Sequence, residues 1–392
     1  MSIADFARGT AISTSEYTKI IVSHIALIFS IHFLFYYVRK LVGRREIPHT
    51  EGLQMPNHAS DSRLRLTIDL DRPGRSVGDL MLRWSDNTNP LGYHPIPVIS
   101  IKGRDGPVVL ILGGTHGDEF EGPAAIMRLA RRLSPDTLAG QVILIPALNA
   151  PALAASSRVN PLDGANLNRA FPGDADGGPS AMLAHFVETV LMPRVDAVID
   201  LHSGGKAAFF QPCALATRTA DSGLYARNLA LAKAFGLPLI WVLGENNDNR
   251  SVNAAAERAG VPMIAAELGG GGGSDPAITG LAEFGLLQCL GYLGLVDSPP
   301  VSNTPPRRVQ IASPLDSVYA PADCLFDRAV SAGQDVSAGQ TVGWVHHPAE
   351  PERASRLLSF PTDGLVLAHI CRGMVRRGEL LALVARDVPE GH

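Results

Sequence analysis

A chain of 392 residues, 46% hydrophobic and 18% charged, has room for a main domain and one appendage around a sizeable core, which excludes a disordered polypeptide. Its formal net charge of −4 and its lack of long basic runs exclude a phosphate-gripping surface, so nucleic acid is not an expected partner and a small molecule is. Four cysteines, Cys213, Cys289, Cys324 and Cys371, stand far apart without Cys-x-x-Cys or disulfide-framework spacing, which fits small buried hydrophobes in a reducing compartment.

In chain order, the first feature is the apolar run Ile20 to Val38, with Lys19 before it and Arg39, Lys40, Arg44 and Arg45 after it. Its length lies at the lower end of the roughly 17 to 25 residues that span a bilayer. The basic flank would hold the downstream domain in the cytoplasm. Met55 stands ahead of the first strand-like stretch as an internal start. The extension 1–60 is thus read either as an anchor or as a gene-model artefact, and a membrane is a partner only in the first case. From Leu64 to Ile101, short alternating apolar positions and turn signals at 71–74 and 87–90 predict entry strands.

Val108 to Leu112 is an unbroken apolar run, followed by Gly113-Gly114-Thr115-His116-Gly117-Asp118-Glu119. It predicts a buried strand whose C-terminal end delivers two metal ligands, His116 and Glu119. Pro123 to Leu133 has helical spacing, and Val142 to Leu148 reads as a strand. A second run, Val195 to Leu201, ends in His202-Ser203-Gly204-Gly205, which places His202 at the same sheet edge as a third ligand. Three ligands of the His, Glu, His type describe a catalytic rather than a structural zinc site. Further strands near Leu239 and Pro262 alternate with helices near 181–191, 223–235 and 252–259. That alternation predicts an α/β fold with a mainly parallel or mixed sheet and helices on both faces, its ligands beyond the carboxyl ends of the strands.

Glu267 ends the apolar run Met263 to Ala266 and is followed by five glycines, Gly269 to Gly273. A lone carboxylate there is costly to bury without a role, so it is expected to be a general base with a raised pKa. The glycines would admit a close backbone approach or form a mobile lip. Between the ligand strands, Arg158 to Arg169 is rich in turn formers and carries two arginines, a residue suited to carboxylates and oxyanions.

His116-Gly117-Asp118-Glu119, Asp163 to Gly173 with its Asn-Leu-Asn-Arg-Ala-Phe-Pro-Gly stretch, Asp200-Leu201-His202 and Glu267 together resemble, in this order, the succinylglutamate desuccinylase/aspartoacylase family of the zinc carboxypeptidase clan. The resemblance covers roughly residues 65 to 390. Within the family it is greatest to the deacetylases of ectoine breakdown, which act on N-acetyl-L-2,4-diaminobutyrate. It implies one zinc ion per subunit on His116, Glu119 and His202, Glu267 as the catalytic glutamate, Arg158 beside the carbonyl under attack, and Asn168 and Arg169 on the substrate carboxylate. The implied activity is hydrolysis of the amide bond of an N-acyl amino acid. Alternatives on the same pattern are a desuccinylase or aspartoacylase, a carboxypeptidase, and a ligand-binding protein on the same fold.

After the catalytic domain, placed at 61–298, the proline-rich stretch 299–306 leads into short β-like pieces over 307–392. There Gly333 to Gly339 is echoed by Gly373 to Gly378, a pattern that resembles the barrel-like hammerhead of biotinyl and lipoyl carriers. No lysine follows Lys233, so neither group could be attached in the usual way. The segment is expected to cover the site or to assemble subunits into a homo-oligomer, and His346, His347 and His369 are read as surface histidines.

Overall fold

A computed structural model of the chain describes residues 62–244, 247–297 and 304–389. The extension 1–60, its apolar run 20–38 and residues 299–303 of the connector lie outside the described residues. Among those described, no helix is long and apolar enough to cross a membrane.

The chain enters through β1 (Arg65–Leu66), β2 (Gly74–Leu82) and β3 (His94–Lys102), which pair antiparallel in that order. Next come β4 (Arg104–Gly113), helix α1 (Glu121–Arg132), β5 (Ala139–Ile145), a short helix α2 (Ala150–Ala155), α3 (Pro179–Phe186) and β6 (Ala197–His202). They are followed by β7 (Ala208–Phe210), β8 (Cys213–Thr217), α4 (Ser222–Phe235), β9 (Leu239–Leu243), α5 (Val252–Ala259), β10 (Met263–Glu267) and α6 (Pro276–Tyr292). Helix ends follow their local chemistry. Asp221, Ser251 and Asp275 cap α4, α5 and α6 by accepting backbone N–H bonds, and Gly236 and Gly260 close α4 and α5 in the left-handed region.

The centre of the sheet is β5-β4-β6-β10, all parallel. Alternate residues of β4 serve opposite faces. Val109 and Ile111 pack with α1, α4 and α6, whereas Leu110 and Leu112 pack with α3 and α5. Each such fully buried side chain contributes about 1.5–3 kcal/mol of transfer free energy, and together these residues fix the register. One strand breaks the parallel order. β8 runs antiparallel to β10 and parallel to β9, so the sheet is mixed and β9 lies one strand further from the centre than simple alternation predicts.

The remaining strands are β11 (Arg307–Gln310), β12 (Ser317–Tyr319), β13 (Cys324–Arg328), β14 (Asp335–Val336), β15 (Thr341–His346), β16 (Arg356–Ser359), β17 (Gly364–Ile370), β18 (Met374–Val375) and β19 (Leu380–Asp387). β14 and β18 lie in the two echoed glycine-rich stretches. This region holds an apolar cluster of its own, including Val318, Phe326, Val345, Phe360 and Val384. It also extends the main sheet, because β11 pairs parallel with β9 and antiparallel with β19, and β17 pairs with β7. His369 departs from the surface reading. It is buried on β17 and stacks on Phe209 of β7, ring centroids 5.7 Å apart.

Candidate metal centre

The parallel register sets the site. Glu267 at the end of β10 pairs with His202 at the end of β6, so both project from the same face, and Asp200, two residues before His202, shares it. The end of β4 brings His116 and Glu119 to the same edge. Ligand atoms of His116, Glu119 and His202 lie within 4.8 Å of one another, and all three residues are buried.

The turn that carries two of them is held by close contact. A Cβ on Gly117 would come within 1.9 Å of the Ala152 carbonyl carbon in α2, so only glycine lets that helix cross the turn, and Gly117 N donates to the Ser157 carbonyl at 2.9 Å. The Glu119 carboxylate bridges the imidazoles, its Oε1 2.8 Å from His116 Nδ1 and its Oε2 2.9 Å from His202 Nδ1. Ser203 N donates to Oε2 at 3.1 Å. Burial pushes this carboxyl up, but His116 and His202 outweigh it and hold its pKa well below the ordinary range.

The far nitrogens of both imidazoles are also engaged. His202 Nε2 is 2.7 Å from Asp200 Oδ2, and Asp200 Oδ1 accepts from the Thr115 hydroxyl at 3.1 Å. His116 Nε2 is 3.1 Å from Asn166 Oδ1, which also accepts from Asn168 N at 2.9 Å. Burial drives His202 down, while Asp200 and Glu119 outweigh it and hold its pKa well above the usual imidazole value. A histidine that directs one nitrogen inward and binds a carboxylate or amide with the other is the outer-shell arrangement of metal-ligating imidazoles. The donor set therefore fits a divalent ion with an affinity for nitrogen and carboxylate, zinc among them.

Glu267 has one carboxylate oxygen, Oε2, buried without a hydrogen-bond partner. Burial pushes the carboxyl up to about 8, against the pull of His202 and Arg158. The glycines after it make a close approach. Gly204 N and Phe210 N both donate to the Gly269 carbonyl at 2.9 Å, and a Cβ on Gly270, at φ +139°, would fall 2.2 Å from the Ala208 carbonyl oxygen.

A cavity of about 520 Å³ opens over these groups. Arg158, Asn168 and Arg169 border it. Arg158 Nη1 donates to Glu119 Oε1 at 3.3 Å, Asn168 Oδ1 accepts from Val252 N at 2.9 Å, and Arg169 Nε pairs with Asp248 Oδ2 at 2.9 Å. The cavity thus brings together all the residues singled out from sequence. It also contains residues that sequence reading passed over. Asp118 and Asp248 border it, and so do Phe210, Trp241, Ile311 and Leu383, the last two from the C-terminal region, just after β11 and on β19. Asp118 and Asp200 had a legible signal, adjacency to one ligand and an i, i+2 strand spacing to another. Ile311 and Leu383 had none.

The comparisons with known proteins agree with this architecture. A family model described as the succinylglutamate desuccinylase/aspartoacylase catalytic domain matches residues 105–293. The N-alpha-acetyl-L-2,4-diaminobutyric acid deacetylase of Halomonas elongata is 34% identical over 337 residues, 86% of this chain and 98% of that protein. A crystal structure of a succinylglutamate desuccinylase/aspartoacylase from Rhodobacter sphaeroides superposes with a TM-score of 0.79 at 36% identity, covering 83% of this chain and 100% of that one. The product-bound ectoine utilization protein EutE (DoeB) of Ruegeria pomeroyi gives 0.80 at 32% identity, covering 83% and 99%. With buried His, Glu and His at adjoining strand ends and a relative matched along nearly its whole length, the chain belongs to the succinylglutamate desuccinylase/aspartoacylase family and is an amidohydrolase.

Proposed function

We propose that this amidohydrolase removes the acetyl group of N-acetyl-L-2,4-diaminobutyrate in ectoine degradation, with zinc on His116, Glu119 and His202. The observation that carries the choice of acyl group is the charge of the cavity. Among the described residues that border it, the cationic side chains besides the histidines at its floor are Arg158, Arg169 and no others. One arginine suits the amino-acid carboxylate and the other the amide carbonyl, which leaves none for the second carboxylate of a succinyl or aspartyl group. The neighbouring wall of Phe210, Leu215 and Trp241 suits a methyl group.

When bound, zinc would supply Lewis acidity toward the attacked carbonyl and the attacking water. The chain's own residues do the rest. Arg169 and Asn168 hold the substrate carboxylate, and Arg158 orients the carbonyl and meets the negative charge that develops on its oxygen. Glu267 removes a proton from water as it attacks and returns it to the departing amine, leaving acetate and 2,4-diaminobutyrate. A carboxyl whose pKa is raised by burial is matched to both halves of that transfer.

We also propose a cytoplasmic setting, supported by four cysteines that are all free thiols. The division into a catalytic part at 61–298 and a barrel-like hammerhead at 307–392 belongs to the same reading, supported by the separate apolar cluster of the C-terminal strands.

The test is release of free amine from N-acetyl-2,4-diaminobutyrate, N-acetylaspartate and N-succinylglutamate, with metal content assayed on the same preparation. Selective turnover of the first supports the proposal. Preference for either dicarboxylic compound moves the substrate, and turnover undiminished after complete removal of zinc overturns the metal assignment.

A further inference from the structure

Among the described residues, four carboxylates border the cavity, and three have an evident use. Glu119 is shared by two imidazoles, Ser203 N and Arg158. Asp248 is saturated by two guanidinium groups. Arg169 Nε lies 2.9 Å from its Oδ2, while Arg250 gives Nε to Oδ1 at 3.0 Å, Nη2 to Oδ2 at 2.9 Å and its backbone N to Oδ1 at 2.9 Å. Glu267 faces the reacting groups. The fourth is Asp118.

Asp118 is only 8% exposed, yet its Oδ1 has no hydrogen-bond partner. Its Oδ2 accepts from Lys206 N at 3.0 Å. The ammonium of Lys206 turns away to the Ser156 carbonyl, 2.6 Å distant, and does not neutralise the carboxylate. The loop after His202 is shaped around Asp118. Gly205, at φ +54°, passes so close that a Cβ there would lie 2.4 Å from Oδ2. A carboxylate that borders a substrate cavity and has one buried oxygen without a partner costs stability in the free protein, and a cation delivered by the ligand removes that cost.

Resting on the function proposed above, we infer that Asp118 receives the side-chain ammonium of the diamino acid and sets a preference for N-acyl amino acids that carry a second, cationic nitrogen. The substrate is then read at both ends by charge. Arg169 takes its carboxylate, Asp118 takes its ammonium, and the acyl amide is held between them over the metal ligands. The pairing is charge-assisted and lies away from solvent, where a missing partner is penalised most.

The test compares kcat/KM for N-acetyl-2,4-diaminobutyrate with that for N-acetyl-2-aminobutyrate, which lacks only the terminal amine, in the zinc-loaded enzyme and in D118N with zinc stoichiometry and melting temperature matched. The unaltered enzyme is expected to favour the diamino compound by about 30-fold or more, and D118N to shrink that ratio at least about tenfold, chiefly through KM. A ratio within about twofold of unity in the unaltered enzyme overturns the inference, and so does a D118N variant that loses both activities in parallel, since that outcome marks a prop for the Gly205 loop. An unaltered enzyme that turns over neither compound while hydrolysing another acyl amino acid overturns the substrate reading itself. Product inhibition keeps the test independent of how D118N folds. In the unaltered enzyme, 2-aminobutyrate inhibiting as tightly as 2,4-diaminobutyrate overturns the assignment.

Discussion

The floor of the cavity and its outer wall are built on opposite principles. At the floor, His116, Glu119 and His202 are buried and tied through Asp200, Asn166, Thr115 and Ser203 N, so that every ligand has an outer partner. At the wall, Ile311, just after β11, and Leu383 on β19 are brought in by the pairing of the C-terminal strands and offer shape without a polar group. Chemistry and fit are therefore separable here. Polar networks at parallel strand ends fix the reacting groups, and apolar side chains on later strands set the space left over.

If that separation holds, damage to the floor changes turnover and metal, and damage to the wall changes fit and stability. The largest effect is expected from His116→Ala, which removes a ligand. Bound zinc, measured by metal analysis after gel filtration, should fall to background together with activity. Glu267→Gln should keep its zinc and lose about 10²–10⁴-fold in kcat, and full activity in this variant would sink the proton-transfer role.

The same group predicts the direction of the pH response. Activity follows the ionised carboxylate, so kcat/KM should rise with pH on its acid limb. Burial pushes Glu267 up to about 8 in the metal-free chain, and a nearby dication pulls it down, so the limb of the loaded enzyme should lie below 8. A profile measured across the neutral range checks this, and Glu267→Gln should flatten it.

Asp200→Asn probes the layer behind the ligands. It keeps the shape beside His202 but removes the charge, and zinc affinity by competition with a chelator should weaken about 10- to 100-fold. The smallest effect belongs to the wall. Leu383→Ala should cost about 2 kcal/mol in denaturant unfolding and raise KM several-fold with zinc content unchanged. A loss of zinc in that variant would break the separation of floor from wall.

The floor was legible in the sequence because its signals are local. Apolar runs that end in Gly-Gly-Thr-His-Gly-Asp-Glu and in His-Ser-Gly-Gly state both the strand and its cargo, and the structure ends β4 and β6 at those points. Other elements carried no such signal. β8 is Cys-Ala-Leu-Ala-Thr, short of β-branched residues, and its antiparallel insertion depends on partners distant in sequence. Helix α6, the longest described, follows a run of glycines and has apolar residues around most of its circumference, so no 3.6-residue stripe announces it. The wall was illegible for a third reason. Nothing in Ile311 or Leu383 distinguishes them from other core residues until the strands are paired.

The pairing of β11 with β9 and of β17 with β7 also orders events in time. His116 and His202 are synthesised long before β19, the strand that carries Leu383. During translation the ligand strands can leave the ribosome and collapse while the wall that completes their cavity is still unmade. The nascent enzyme would therefore possess its reactive groups before its cavity is fully walled, and the two coincide only when the last strand closes onto the sheet.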